Sequence, residues 1–292
     1  MAEVAPDPRF GAAKVLFFGV GAQKCGTTWL YRFLQSHDDV CVPRRKELQY
    51  WNTLEQDIKA RIRNLASVVA AQGAEKGKNS FRMQLRILRR RDPAHTSYAD
   101  VLFRNYGAQT AVGEITPDYD RLSEQGFARL AALNPDTRFI FLMRDPIDRL
   151  HSSMRKLLRS RADNDRTAVL HGDAVLDELK NVLADESASP IRRSAYDQTI
   201  RTLEKAVDPA KIGLFFYENI FGGTDADPIC DFLSIRRKPG NFDHVANVGN
   251  PVFADRAREF RAMAMPHLAA TYDYMEARFG SALPAAWRRE RA

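Results

Sequence analysis

Residues 17–34, FFGVGAQKCGTTWLYRFL, leave few folds open to this chain. Val15 to Phe18 form an apolar run that reads as a buried strand. Gly19, Gly21 and Gly26 allow a tight loop after it, and from Thr27 the stretch TTWLYRFL has the spacing of a helix with one apolar face. A strand, a glycine-containing loop and a helix N-terminus aim backbone N–H groups and the positive end of a helix dipole at one point. Such a point binds an anion.

The rest of the chain extends the same alternation. Apolar runs recur at residues 14–20, 110–114, 137–143 and 211–217, and helical spacing fills 122–133, 147–161, 174–185, 191–206 and 255–278. Strands alternating with helices predict an α/β fold with a central parallel sheet covered by helices on both faces. Right-handed crossovers then bring the C-terminal ends of the strands to one edge, where the site is expected. At 292 residues a single domain is expected over 1–292, with a mostly helical insertion at about 53–109 covering the site. Within it, FRMQLRILRRRD carries Arg82, Arg86, Arg89, Arg90 and Arg91. They read either as a solvated helix face, with Met83, Leu85, Ile87 and Leu88 packed inward, or as a basic wall for an acidic ligand.

Charge narrows the partners. The formal charge of +7 arises from 44 basic and 37 acidic residues, which suits an anionic cofactor or acceptor but is too dispersed to argue for nucleic acid. Cys25, Cys41 and Cys230 form neither a metal pattern nor a disulfide framework, so a reducing compartment is expected. Cys25, inside the anion loop, reads either as a thiol activated by Lys24 and the helix N-terminus or as a small loop filler. The first residues show no secretion signal, and no apolar run reaches 18 residues. The expectation is a cytoplasmic protein with no membrane span. The six histidines show no metal spacing, and no metal site is expected.

The position of the lysine sets the kind of anion site. A Walker A loop places Lys directly after its last Gly. Here Thr27 follows Gly26, and the nearby lysine is Lys24, inside the loop. Lys24, Gly26, Thr27, Thr28, Trp29 and Leu30 instead resemble, in order, the KxGTTWL loop of sulfotransferases that use 3′-phosphoadenosine 5′-phosphosulfate (PAPS). The resemblance implies a P-loop-like three-layer fold and a cofactor 5′-phosphosulfate held by Lys24, Cys25, Gly26, Thr27, Thr28 and Trp29.

Further segments follow the same family pattern over roughly residues 14–280. RDPIDRLHS is similar to the family's strand, Arg, Pro, Ser arrangement, which implies that Arg144 and Ser152 bind the 3′-phosphate. VPRRKELQYWN resembles the Lys-Glu-x-x-[FY]-[FWY] motif of the heparan-type branch, which also appears in bacterial members. It implies that Glu47, beside Lys46 and ahead of Tyr50 and Trp51, is the general base, with Lys24 the catalytic cation. GEITPDY resembles a strand end that in heparan-type enzymes often carries a Lys after the Glu. Here Glu114 is followed by Ile115, so the missing cation falls to Lys24, Lys46 or an insertion arginine. Arg193, Ser194 and Tyr196 match a position near the adenine and 3′-phosphate, and Tyr196 is expected at the cofactor. Residues 236–251 stand where the family closes a basic loop. The usual Arg-Lys-Gly run is absent, leaving Arg237, Lys238 and Asn247 as candidates.

The function implied is transfer of a sulfuryl group from PAPS to an acceptor hydroxyl on a glycan or small molecule, without a metal. His95 or His151 could replace Glu47, as cytosolic relatives use a His base. The alternatives are a P-loop nucleotide kinase and a non-catalytic protein that binds adenosine bisphosphate or a glycan. Oligomeric state is open.

Overall fold

The computed structural model describes residues 4–71, 79–161, 172–185, 189–223, 226–242 and 256–288. Five parallel strands form one sheet: β1 (Val15–Gly21), β2 (Val40–Cys41), β3 (Ala111–Ile115), β4 (Thr137–Met143) and β5 (Ile212–Phe216). Their order across the sheet is β2-β3-β1-β4-β5. Every residue of β1 and β3 is buried, as a parallel strand covered on both faces requires. The register runs Val15 to Ala111 through Gly19 to Ile115 on one side of β1, and Leu16 to Thr137 through Gly19 to Ile140 on the other.

The helices are α1 (Thr27–Gln35), α2 (Trp51–Leu54), α3 (Ile58–Ala71), α4 (Asn79–Arg89), α5 (Thr96–Leu102), α6 (Glu124–Ala131) and α7 (Pro146–Arg161). There follow α8 (Gly172–Leu183), α9 (Ser189–Arg192), α10 (Tyr196–Ala206), α11 (Tyr217–Gly223), α12 (Asp227–Phe232) and α13 (Ala257–Phe279). Helices α2 to α5 lie in the chain between β2 and β3. In α4, Leu85, Ile87 and Leu88 are buried, while Arg82, Arg86 and Arg89 are exposed, as is Arg90 just after it. The arginine stripe is therefore an outward face.

Two local features depart from the sequence expectation. The edge strand β2 has only two residues, too few for any periodic signal. The helix expected over 191–206 breaks into α9 and α10, because Arg193 and Ser194 turn their side chains into the interior at the join.

The chain crosses from β2 back to β3 beside β1, and then over β1 to β4, so the topology reverses around β1. Open α/β sheets bind ligands at the C-terminal end of such a reversal. A cleft of about 590 Å3 lies there. Its lining includes residues that follow each of the five strands: Lys24 after β1, Glu47 after β2, Pro117 after β3, Arg144 after β4 and Tyr217 after β5.

Candidate active site

The loop between β1 and α1 is held open by backbone geometry. Gly26 precedes α1 at φ 86°, and a Cβ on it would lie 2.8 Å from Phe221 Cε2. Lys24 also occupies the left-handed region, at φ 75°. No side chain caps α1 and its first turn carries no acidic residue. Free N–H groups of that turn therefore face a cleft with a positive dipole end behind them.

Lys24 is partly buried, and this burial lowers its pKa to about 8, helped by the charges of Lys156, Arg149, Arg155 and Arg159. Lys46 reaches the same loop from the far side. Its Nζ donates to Thr27 Oγ1 at 3.0 Å, Thr28 Oγ1 at 3.4 Å and Glu47 Oε1 at 3.0 Å. Burial lowers its pKa as well, against the opposing pull of Glu47. An anion bound in the cleft beside either ammonium offsets the burial that lowers its proton affinity.

The second basic element grows from β4. Asp145 Oδ1 accepts the N–H groups of Ile147 and Asp148, both at 3.0 Å, and so caps α7. Its other oxygen accepts the Tyr272 hydroxyl at 2.8 Å. Asp145 is thus tied to the interior, and the neighbouring Arg144 lines the cleft, 3.5 Å from Asp148 Oδ2 and over the Tyr217 ring at 5.1 Å. Ser152 and Lys156, one turn apart on α7, line it too.

The segment after β2 carries Glu47 at the rim, where its side chain is 44% exposed. Its backbone, at φ 66°, is pinned: Glu47 N–H donates to Ile115 C=O at 3.1 Å, and Gln84 Nε2 donates to Glu47 C=O at 3.0 Å. Glu114, by contrast, does not line the cleft. Its carboxylate is buried and accepts the hydroxyls of Tyr98 (2.6 Å), Tyr119 (2.7 Å) and Thr116 (2.7 Å), together with the Leu48 N–H. His95 bonds Tyr50 through Nδ1 at 2.9 Å, and His151 packs edge-on against Phe260. Neither imidazole lines the cleft.

Of the residues singled out from sequence, Lys24, Gly26, Thr27, Thr28, Trp29, Glu47, Arg144 and Ser152 all line one cleft. Cys25 and Tyr196 do not. Cys25 is fully buried, its N–H bonds Ala22 C=O at 3.3 Å, and burial pushes its thiol up to about 11. It is the loop filler, not an activated thiol. The Tyr196 hydroxyl donates to Arg144 C=O at 2.8 Å and lies 3.5 Å from Cys25 Sγ, beneath the wall of the cleft. Its expected contact with a cofactor is replaced by this internal one. Arg193 and Ser194 also lie in that layer. Arg193 pairs with Asp118 and Asp120, and Ser194 Oγ accepts from buried Arg149 at 2.8 Å while donating to Pro146 C=O at 2.9 Å.

Sequence reasoning left out Lys156, Tyr217, Phe221 and Asn241 as lining residues. Lys156 follows Ser152 by one helical turn, a signal that was there to be used. The aromatic wall was not legible: Trp29 stacks on Phe33 at 5.2 Å and Phe242 at 4.9 Å, and its Nε1 donates to Asn241 C=O at 2.7 Å. Lys238 lines the mouth and bonds Ser36 C=O, while Arg237 pairs with Asp231. Asn247 lies outside the described residues. Among those residues, no group of three or more His, Cys, Asp or Glu is placed to hold a metal ion. No described helix is long and apolar enough to cross a membrane.

A sulfotransferase from Alicyclobacillus acidocaldarius superposes with a TM-score of 0.63 at 19% identity, covering 94% of this chain and 98% of that one. The sulfotransferase domain of an olefin synthase from Synechococcus PCC 7002 gives 0.52 at 17% identity, covering 94% and 96%. At these identities the likeness concerns the fold. No curated protein matches the sequence. A family model described as "Sulfotransferase family" matches residues 17–209, from β1 and the anion loop past α10, which is well over half of the chain. That span contains both basic loops and the Glu47 segment, and on it the chain belongs to the sulfotransferase family.

Proposed function

We propose that this sulfotransferase uses PAPS as donor and transfers its sulfuryl group to a hydroxyl of a glycan or small-molecule acceptor. One observation carries the donor reading: α1 begins without a side-chain cap, at a cleft into which Lys24 and Lys46 both reach. The residues present suit an anionic group with two separated phosphates. Lys24, Thr27, Thr28 and the first N–H groups of α1 would hold the phosphosulfate, and Arg144 and Ser152 the 3′-phosphate. Trp29, Tyr217 and Phe221 line the same cleft and give it an aromatic side against which a base could pack.

When bound, PAPS supplies an activated sulfuryl group with adenosine 3′,5′-bisphosphate as leaving group. Lys24 and the N–H groups of α1 are preorganised for the charge that grows on the bridging oxygen as the group departs. Glu47, at the rim, takes the acceptor's proton on a carboxylate oxygen. The pinned backbone of Glu47 fixes where that oxygen can reach.

Calorimetry with adenosine 3′,5′-bisphosphate, ATP and 5′-AMP tests the donor. The bisphosphate should bind far better than the other two, and Arg144→Ala should cost about 1.5–3 kcal/mol of that binding. Equal affinity for all three, or an unchanged Arg144→Ala, would defeat the donor assignment. Radiolabelled PAPS with pools of glycans and small hydroxyl compounds then identifies the acceptor.

A further inference from the structure

The Lys46 ammonium has three N–H donors, and three oxygens from two parts of the site use them. Thr27 and Thr28 belong to the anion loop, and Glu47 belongs to the acceptor side. The cation is therefore saturated, and a new anion at α1 must displace one partner. Both hydroxyls belong to the first turn of α1. The Thr28 contact is the longest, at 3.4 Å; of the two partners at 3.0 Å, Glu47 is the charged one, which an incoming anion replaces like for like, and its carboxylate, 44% exposed at the rim, can turn to water. The neighbouring charges are mixed: Lys156 repels Lys46, while Asp118, just past the end of β3, attracts it.

We propose that Lys46 detects the transferable group: on donor loading it exchanges the Glu47 carboxylate for sulfuryl oxygens, and so frees Glu47 to accept the acceptor's proton only in the loaded enzyme. This rests on the donor reading above. A carboxylate paired with an ammonium is a poorer proton acceptor than one released from it. Lys46 thus links the donor half of the cleft to the acceptor half through one ammonium.

Binding alone tests this, with no acceptor needed. Affinities of PAPS and of adenosine 3′,5′-bisphosphate, which lacks the sulfuryl group, are measured for the wild type, Lys46→Met, Glu47→Gln and the double variant, each checked for folding by circular dichroism. Lys46→Met should weaken PAPS tenfold or more while changing the bisphosphate by less than threefold, and Lys46→Arg should restore most of the difference. Equal weakening of both ligands would make Lys46 a strut of the loop, and no weakening would make it a bystander; either overturns the proposal. Glu47→Gln should tighten PAPS several-fold by removing the competing partner, and Lys46→Met should abolish that gain. Tightening that persists in the double variant would show plain repulsion by Glu47 and overturn the exchange. A wild type that binds neither ligand would instead defeat the donor reading itself.

Discussion

The buried carboxylate of Glu114 accepts the backbone N–H of Leu48 at 3.2 Å, so the residue next to Glu47 is suspended from the end of β3. The same carboxylate gathers Tyr119, whose hydroxyl accepts the N–H of Tyr50 at 3.3 Å. The rim segment is thereby built from the sheet outward, and the left-handed backbone of Glu47 is held by contacts on both sides.

Glu114→Gln should therefore destabilise the protein and impair transfer together. The amide brings an NH2 into a ring of donors, leaving at least one buried donor without an acceptor, at a cost of about 1–3 kcal/mol. Urea denaturation reads the stability loss. Adenosine 3′,5′-bisphosphate affinity should stay near wild type, because Glu114 does not line the cleft.

Glu47→Gln keeps shape and removes proton affinity. With the acceptor found, single-turnover transfer should slow roughly 10²–10⁴-fold, the range for loss of a general base, with normal folding and bisphosphate affinity. Near-native transfer would exclude Glu47 as the base.

Lys24 gives the site a pH signature. Its value of about 8 in the folded protein lies below the 10.5 of a free lysine. Between those values the unfolded chain binds more protons, so the lysine's contribution makes the free protein more stable as pH rises across that window. A bound polyanion favours the ammonium, so bisphosphate affinity should fall as pH rises through about 8. Calorimetry at pH 8.5 in buffers of different ionisation enthalpy should show proton uptake on binding, and Lys24→Met should lose it.

Gly26→Ala tests the loop. A left-handed residue with a Cβ costs roughly 1–2 kcal/mol, and this one would also push Phe221 from its place beside Trp29, 5.1 Å away. Reduced stability in urea, with weaker bisphosphate binding, is the expected pair of results.

Much of this was legible because chemistry that must touch a ligand leaves residue types at fixed spacing. The run from Phe17 to Leu34, the Arg144 to Ser152 interval and the Lys46-Glu47 pair each mark a strand end followed by a helix or a rim. What could not be read was which side of a wall a residue occupies. Tyr196 stands at a position that the resemblance puts near the cofactor, yet it is buried behind the cleft and serves as an internal support. Glu114 likewise differs from Glu47 through the three hydroxyls that enclose it, two of them from tyrosines 16 and 5 residues away.

The single phenol of Tyr196 touches both basic loops from behind, Arg144 through its carbonyl and Cys25 through its sulfur. The gap between the two loops is consequently set by a rigid ring in the dry interior, where solvent and salt have little leverage. On the donor reading proposed above, a nucleotide would then be measured by the span between its phosphates as much as by their charge. The protein carries, in effect, a ruler whose length is written in its core.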